Sequence, residues 1–277
     1  YRRMVQSFDL FADFAKKKIE EATERIQRKA SVSSPGEVLE VSVLEKLIAK
    51  CGPTSGVPLV MAFDLIGAGA DTTGNSIGYL MYNLARNPEV QEKLRNEINA
   101  ISKMDGPTLG NLKYLRACMK ESHRISPVIF GNLRVMKENI VLKGYQIPAG
   151  TAIQWNAENF NKNPKFFSEP EKYVHETLPS YTNYIFKFTL LSRFIPERWM
   201  KESKGDIHPF LNLPFSHGPR MCVGRRFAEL EIQILTAKIL QNFRVEWAGQ
   251  EFDGSPPVVW KGVNSPAFPL KFRFKDL

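Results

Sequence analysis

Cysteine is scarce: 277 residues carry only Cys51, Cys118 and Cys222. Three scattered thiols are too few for a disulfide scaffold, and reducing surroundings fit better. Histidine is scarcer relative to its usual roles. His123, His175, His208 and His217 do not form a ligand set by spacing, and no zinc-finger pattern accompanies the cysteines. No uninterrupted apolar run is long enough to span a bilayer, because the stretch near Val57–Ala70 is broken by Asp64. No signal peptide is visible, but the chain opens on Tyr1-Arg2-Arg3 without methionine, so a targeting segment upstream is left open. Acidic residues are outnumbered by basic ones, 29 against 38, for a net charge of +9. That balance alone fits nucleic acid, anionic membrane or acidic protein as partner. Without aromatic–basic interleaving or a concentrated basic tail, nucleic acid is the poorest of the three.

What is present is mostly helical pattern, enough for one large domain or two small ones. Residues 1–30 read as an amphipathic helix and Val38–Ala49 as a second. A long helix follows at about 59–86, then one from Pro88 to about Ile101 and one at 109–125. Past Pro127 the pattern shortens to strands at Asn132–Val135, Ile140–Leu142, Gln146-Ile147 and Thr151–Gln154, a small antiparallel arrangement. A helix at about 224–242 and strands at Val245–Trp247, Val258–Trp260 and Leu270–Phe274 complete the chain.

The most informative stretch is 214–224, followed by that last helix. Cys222 lies in a glycine- and proline-restricted loop just before a helix N-terminus, a place that favours a thiolate and metal ligation. Gly218 and Gly224 allow close approach of something flat and bulky. A cysteine near a helix start can equally be a small hydrophobe. Ala68-Gly69-Ala70-Asp71-Thr72-Thr73 puts a glycine, an acid and two hydroxyls in mid-helix, either a tolerated weak point or a groove beside a ligand. Glu121 and Arg124, three apart, share a helix face.

Phe215, Gly218, Arg220, Cys222 and Gly224 match in order and spacing the haem-binding signature of the cytochrome P450 family, which the chain resembles. The resemblance implies a mainly α fold with small antiparallel β sheets, and a haem b whose iron takes Cys222 as axial thiolate. It implies that only the C-terminal half of that fold is present, as one partial domain over 1–277, with the N-terminal half missing. Glu121-Ser122-His123-Arg124 resembles the family's Glu-x-x-Arg motif, and Pro196-Glu197-Arg198-Trp199 supplies the third member of a buried Glu121–Arg124–Arg198 network. Arg134 and Arg220 stand where the family holds haem propionates, and an arginine fork suits a carboxylate. Phe215 belongs to the same loop. Asp71 and Thr72 match the family's oxygen-binding motif and its proton delivery, with Gly69 leaving room for dioxygen and distorting the helix.

The implied activity is that of a monooxygenase acting on a lipophilic substrate, with steroids as one candidate class. The other reading is a catalytically inactive fragment with at most a structural or haem-binding role. Arg225-Arg226-Phe227-Ala228-Glu229 resembles the mitochondrial branch. That branch implies an acidic ferredoxin, fed by an NADPH-dependent reductase, docking on Arg116, Lys120 and Arg226. It also implies a place at the matrix side of the inner mitochondrial membrane, with peripheral membrane association. A microsomal flavoprotein donor is the alternative. Residues 174–194 depart from the family pattern. Val codons begin with a donor-site dinucleotide and the Phe/Leu/Ser-rich tail is what a pyrimidine tract encodes, so the segment reads as a translated intron. A natural surface insertion is the alternative, since long loops are thermodynamically cheap.

Overall fold

The computed structural model describes residues 2–32, 41–163, 165–167, 194–200, 207–251 and 255–277. The chain divides into two compact units, Tyr1–Asp71 and Thr72–Leu277.

In the first unit α1 (Arg2–Val32) carries an apolar stripe that buries Ala15, Ile19 and Ala22. Ile19 and Ala22 pack with Ile48 and Leu44 of α2 (Val43–Cys51) and with Leu59 at the start of α3 (Val57–Arg86). The second helix was expected from Val38, yet Val41 and Ser42 lie outside it. Ser42 caps it: its Oγ accepts from Glu45 N at 3.1 Å while Glu45 Oε2 accepts from Ser42 N at 2.6 Å. This reciprocal pair satisfies two open donors at once and fixes where the helix begins.

The second unit is built on α4 (Pro88–Asn99), α6 (Lys113–Ile125) and α8 (Arg225–Asn242), with the last turns of α3. Their shared core contains Leu80, Leu84, Leu94, Ile98, Leu115, Ile232 and Leu240, all essentially inaccessible. Of the apolar positions expected on α8, Leu230, Ile234 and Ile239 pack against this core from its margin.

Two long-range caps set the ends of the helices that matter for function. The single helix expected over 109–125 is two: α5 (Gly106–Gly110) and α6. Glu97 of α4 accepts from Tyr114 N at 2.8 Å and from Leu115 N at 2.9 Å, so α6 starts under a carboxylate that satisfies its first donors. At the far end of α8, buried Arg95 donates to the carbonyls of Leu240 and Phe243, each at 3.0 Å. Gln91 then pairs with Val245 through both its amide atoms, at 2.9 Å each, as a neighbouring strand would.

The β structure is four two-stranded antiparallel sheets among the described residues. β1 (Gly131–Val135) pairs with β4 (Ala152–Asn156), placing Arg134 opposite Ile153. A Cβ at Gly131 would sit 1.9 Å from the Trp155 carbonyl oxygen, so only glycine fits that crossing. β2 (Ile140–Leu142) pairs with β3 (Tyr145–Ile147), and the short α7 (Ala157–Asn161) follows β4. β5 (Phe243–Trp247) pairs with β8 (Phe272–Asp276), and β6 (Val258–Trp260) with β7 (Asn264–Pro266). Asn264 donates to the Pro127 and Val128 carbonyls at 2.9 and 2.8 Å, tying that hairpin to the chain leaving α6. Among the described residues no helix is long and apolar enough to cross a membrane.

Candidate functional site

Residues 215–222 form a closed loop. The Cys222 N–H donates to the Phe215 carbonyl at 2.9 Å; within the loop Met221 N donates to Gly218 O at 2.9 Å, and at its entry Ser216 N donates to Leu213 O at 3.0 Å. Gly218 has φ 76°, where a Cβ is crowded. Ser216 has φ 61°, one of two non-glycine residues in the left-handed region among those described. For a residue with a Cβ that conformation costs roughly 1–2 kcal/mol. Gly224 caps α8, and a Cβ there would lie 3.9 Å from Cys222 Sγ, so the sulfur's flank stays clear.

Of the three thiols Cys222 is exposed, Cys51 partly covered and Cys118 buried. Burial pushes the Cys118 thiol well above its ordinary value, with Glu197 adding to the shift, so Cys118 is inert. Exposed apolar side chains stand near Cys222 in the chain, Val223 at 77% and Phe227 at 57% exposure, among exposed arginines. On β1, Leu133 and Val135 are exposed on either side of half-buried Arg134. Arg134 Nη2 donates to Ser216 Oγ at 3.0 Å, joining strand and loop, and Arg220 is exposed on the Gly218–Arg220 turn. One soft sulfur, two guanidinium forks and exposed apolar side chains suit a flat apolar group carrying carboxylates and a soft-ligand metal. They fit a haem.

The motif pair in α6 is built as follows. Glu121 is completely buried and accepts from Arg124 Nε and Nη2 and from Arg198 Nε, each at 2.9 Å. It also accepts from Trp199 Nε1 at 2.8 Å and from Ile195 N at 3.1 Å. Arg124 Nη1 donates to the Asn161 carbonyl at 2.9 Å, and both guanidinium groups lie over the Phe167 ring. Trp199, Asn161 and Phe167 are parts of the network that sequence reading gave no role. Trp199 had a signal, being next to Arg198; the other two did not.

The three basic residues expected to meet a redox partner line one cleft of about 610 Å³, together with Trp199, Phe215 and Arg225. Cys222 does not line it. Lys120 Nζ sits 5.7 Å from the Trp199 ring centroid, and Arg225 pairs with Glu229 at 2.9 Å while its guanidinium lies 5.6 Å from the Phe215 ring centroid. His123, buried in contact with Phe215, is held near pKa 4 by loss of solvation, so it is neutral at physiological pH.

Gly69 and Asp71 lie at the end of the first unit, and Thr72 opens the second. The helix carrying them shows no break: α3 is continuous α-helix through 68–73, where a distortion at Gly69 was expected. Ser76 Oγ donates to Thr72 O at 2.9 Å without interrupting the ladder. His175 and residues 174–193 lie outside the described residues, while Phe194, the last residue of that segment, is buried in the core of the second unit.

The Cytochrome P450 family profile matches residues 1–177 and 192–264, leaving 178–191 uncovered within the segment expected to be extraneous. The chain is 33% identical over 294 residues to "Probable cytochrome P450 12a5, mitochondrial" of Drosophila melanogaster, covering 100% of this chain and 49% of that protein. It is 33% identical over 297 residues to "Cytochrome P450 CYP12A2" of Musca domestica, covering 100% and 50%. It is also 32% identical to "Probable cytochrome P450 49a1" of Drosophila melanogaster over 290 residues, covering 99% and 44%. It thus spans about half the length of the relatives it matches. With a family profile that covers most of its length, the chain belongs to the cytochrome P450 family.

Proposed function

We propose that the complete protein is a haem-thiolate monooxygenase that inserts one atom of dioxygen into a lipophilic substrate. The observation that carries this reading is Cys222: an exposed thiol on a closed loop, flanked by exposed apolar side chains. A bound haem b supplies the dioxygen-activating chemistry. The chain's part is to hold and serve it. Cys222 Sγ would ligate its iron. The Arg134 and Arg220 forks would pair with its carboxylates, and Phe215, in contact with His123 and Arg225, backs the loop. By the family's pattern Thr72 and Asp71 hand on protons, and Gly69 leaves space for dioxygen. The Glu121–Arg124–Arg198 network keeps α6 and the turn at Pro196–Trp199 together beneath the site.

The cleft that gathers Arg116, Lys120 and Arg226 supports an acidic ferredoxin as electron donor, reduced in turn by an NADPH-dependent reductase. "Probable cytochrome P450 12a5, mitochondrial" carries that organelle in its name, which supports a mitochondrial place for this protein. By the pattern of that branch, we put it at the matrix side of the inner membrane with peripheral association. Steroids are a candidate substrate class.

The test is the carbon monoxide difference spectrum of the reduced, haem-loaded complete protein, for parent and Cys222→Ala. The parent should show the thiolate-type band and the variant should lose it; a band kept by the variant overturns the assignment.

A further inference from the structure

The Cys222 loop carries a side chain where bare backbone would be less strained. Ser216 stands at φ 61°, in the region that glycine occupies without Cβ crowding. What its side chain does is accept from Arg134 Nη2 at 3.0 Å. The other terminal nitrogen of that arginine, Nη1, donates to the Leu133 carbonyl at 2.8 Å. The guanidinium is therefore held at two nitrogens, one by its own strand and one by the loop that bears Cys222. An arginine between exposed Leu133 and Val135 would otherwise sample many rotamers. A fork fixed before its ligand arrives loses less freedom when it binds.

We propose that Ser216 is a positioning residue: its hydroxyl sets the Arg134 fork to meet a carboxylate of the bound cofactor, and thereby slows loss of that cofactor. The inference rests on the haem-thiolate reading above. It assigns the hydroxyl no contact with iron and no step in the reaction.

The experiment measures the rate at which the complete, haem-loaded protein gives up haem to an excess of a scavenging globin. Parent, S216A, S216G, R134Q and S216A/R134Q are compared, each loaded with haem or with its dimethyl ester, whose carboxylates are blocked. S216A keeps the strained backbone and removes the hydroxyl; S216G removes both. Each should lose haem about fivefold faster than the parent, the scale of the net worth of one ordinary hydrogen bond. The double variant should be no faster than R134Q, and with the dimethyl ester the effect of Ser216 should vanish. Release from S216A or S216G at the parent rate overturns the inference. So does an effect that adds to R134Q, or one that persists with the ester, since either marks a purely structural role in the loop. If S216A does not fold, S216G decides alone. A parent that takes up no thiolate-ligated haem overturns the underlying reading; a parent that holds haem while both serine variants behave like it overturns this inference only.

Discussion

Arg198 Nε lies 2.9 Å from Glu121 Oε1, and both side chains are almost fully withdrawn from water. The pair joins α6 to the turn at Pro196–Trp199 across 77 residues of sequence. With Arg124 on the same carboxylate, Glu121 meets two guanidinium groups, and Trp199 Nε1 and Ile195 N donate to it as well. Burial on this scale is tolerable only because the carboxylate is so fully satisfied.

Glu121→Gln should therefore be severely destabilising. The amide keeps the shape but removes the Glu121 charge from beside two buried guanidinium groups, a loss typically of about 3–5 kcal/mol. Urea unfolding of the complete protein, followed by tryptophan fluorescence, checks this. An unchanged midpoint would mean the network contributes no net stability.

The three thiols should separate by access. In the haem-free protein a maleimide should modify Cys222 well ahead of Cys118, whose sulfur is buried and whose thiol resists ionisation. Haem loading should then protect Cys222. Mass spectrometry of the labelled peptides reads both effects, and equal labelling of Cys222 with and without haem would count against the ligand assignment.

How far the sequence alone reaches is set by where the determining partner lies. The Cys222 loop was legible because its glycines, proline and cysteine are neighbours in the chain. So was α8, whose apolar positions recur at helical spacing. The break between α5 and α6 was not, because the carboxylate that starts α6 belongs to Glu97, 17 residues before Tyr114. β7 was also missed: Asn264-Ser265-Pro266 has no strand character of its own and exists through pairing with Val258–Trp260. The start of α2 was written locally in Ser42 and Glu45, a capping pair that the expected start at Val38 passed over. In the site, the family resemblance pointed to Arg134 but nothing pointed to Ser216, since a backbone angle leaves no trace in composition.

Acid should weaken the fold through His123. Burial lowers its pKa from 6.5 to about 4, so between those values the unfolded chain binds a proton that the folded chain refuses. Stability is then greater above pH 6.5 and falls as the pH is lowered toward 4, by about 1.4 kcal/mol per pH unit across the window. His123→Phe removes the titration while keeping an aromatic ring against Phe215. Urea midpoints at pH 7 and pH 5 should differ less for the variant than for the parent; an identical pH dependence would place the acid sensitivity elsewhere.

Electron delivery should depend on charge at the cleft lined by Arg116, Lys120 and Arg226. Lys120 is exposed there, on the face of α6 away from the core, with its ammonium near the Trp199 ring. Attraction between opposite surfaces raises the encounter rate, and salt screens it with a Debye length of about 8 Å near physiological ionic strength. Lys120→Glu should therefore slow the first reduction by an acidic ferredoxin several-fold at low salt and much less at high salt, without altering the haem spectrum. Arg226 is a less clean probe because it lies in the first turn of α8, close to the Cys222 loop. Stopped-flow reduction of the complete protein over a salt series gives the answer. Equal rates for parent and variant at every ionic strength would remove Lys120 from the docking surface, and efficient reduction by a flavoprotein with none by ferredoxin would defeat the mitochondrial reading.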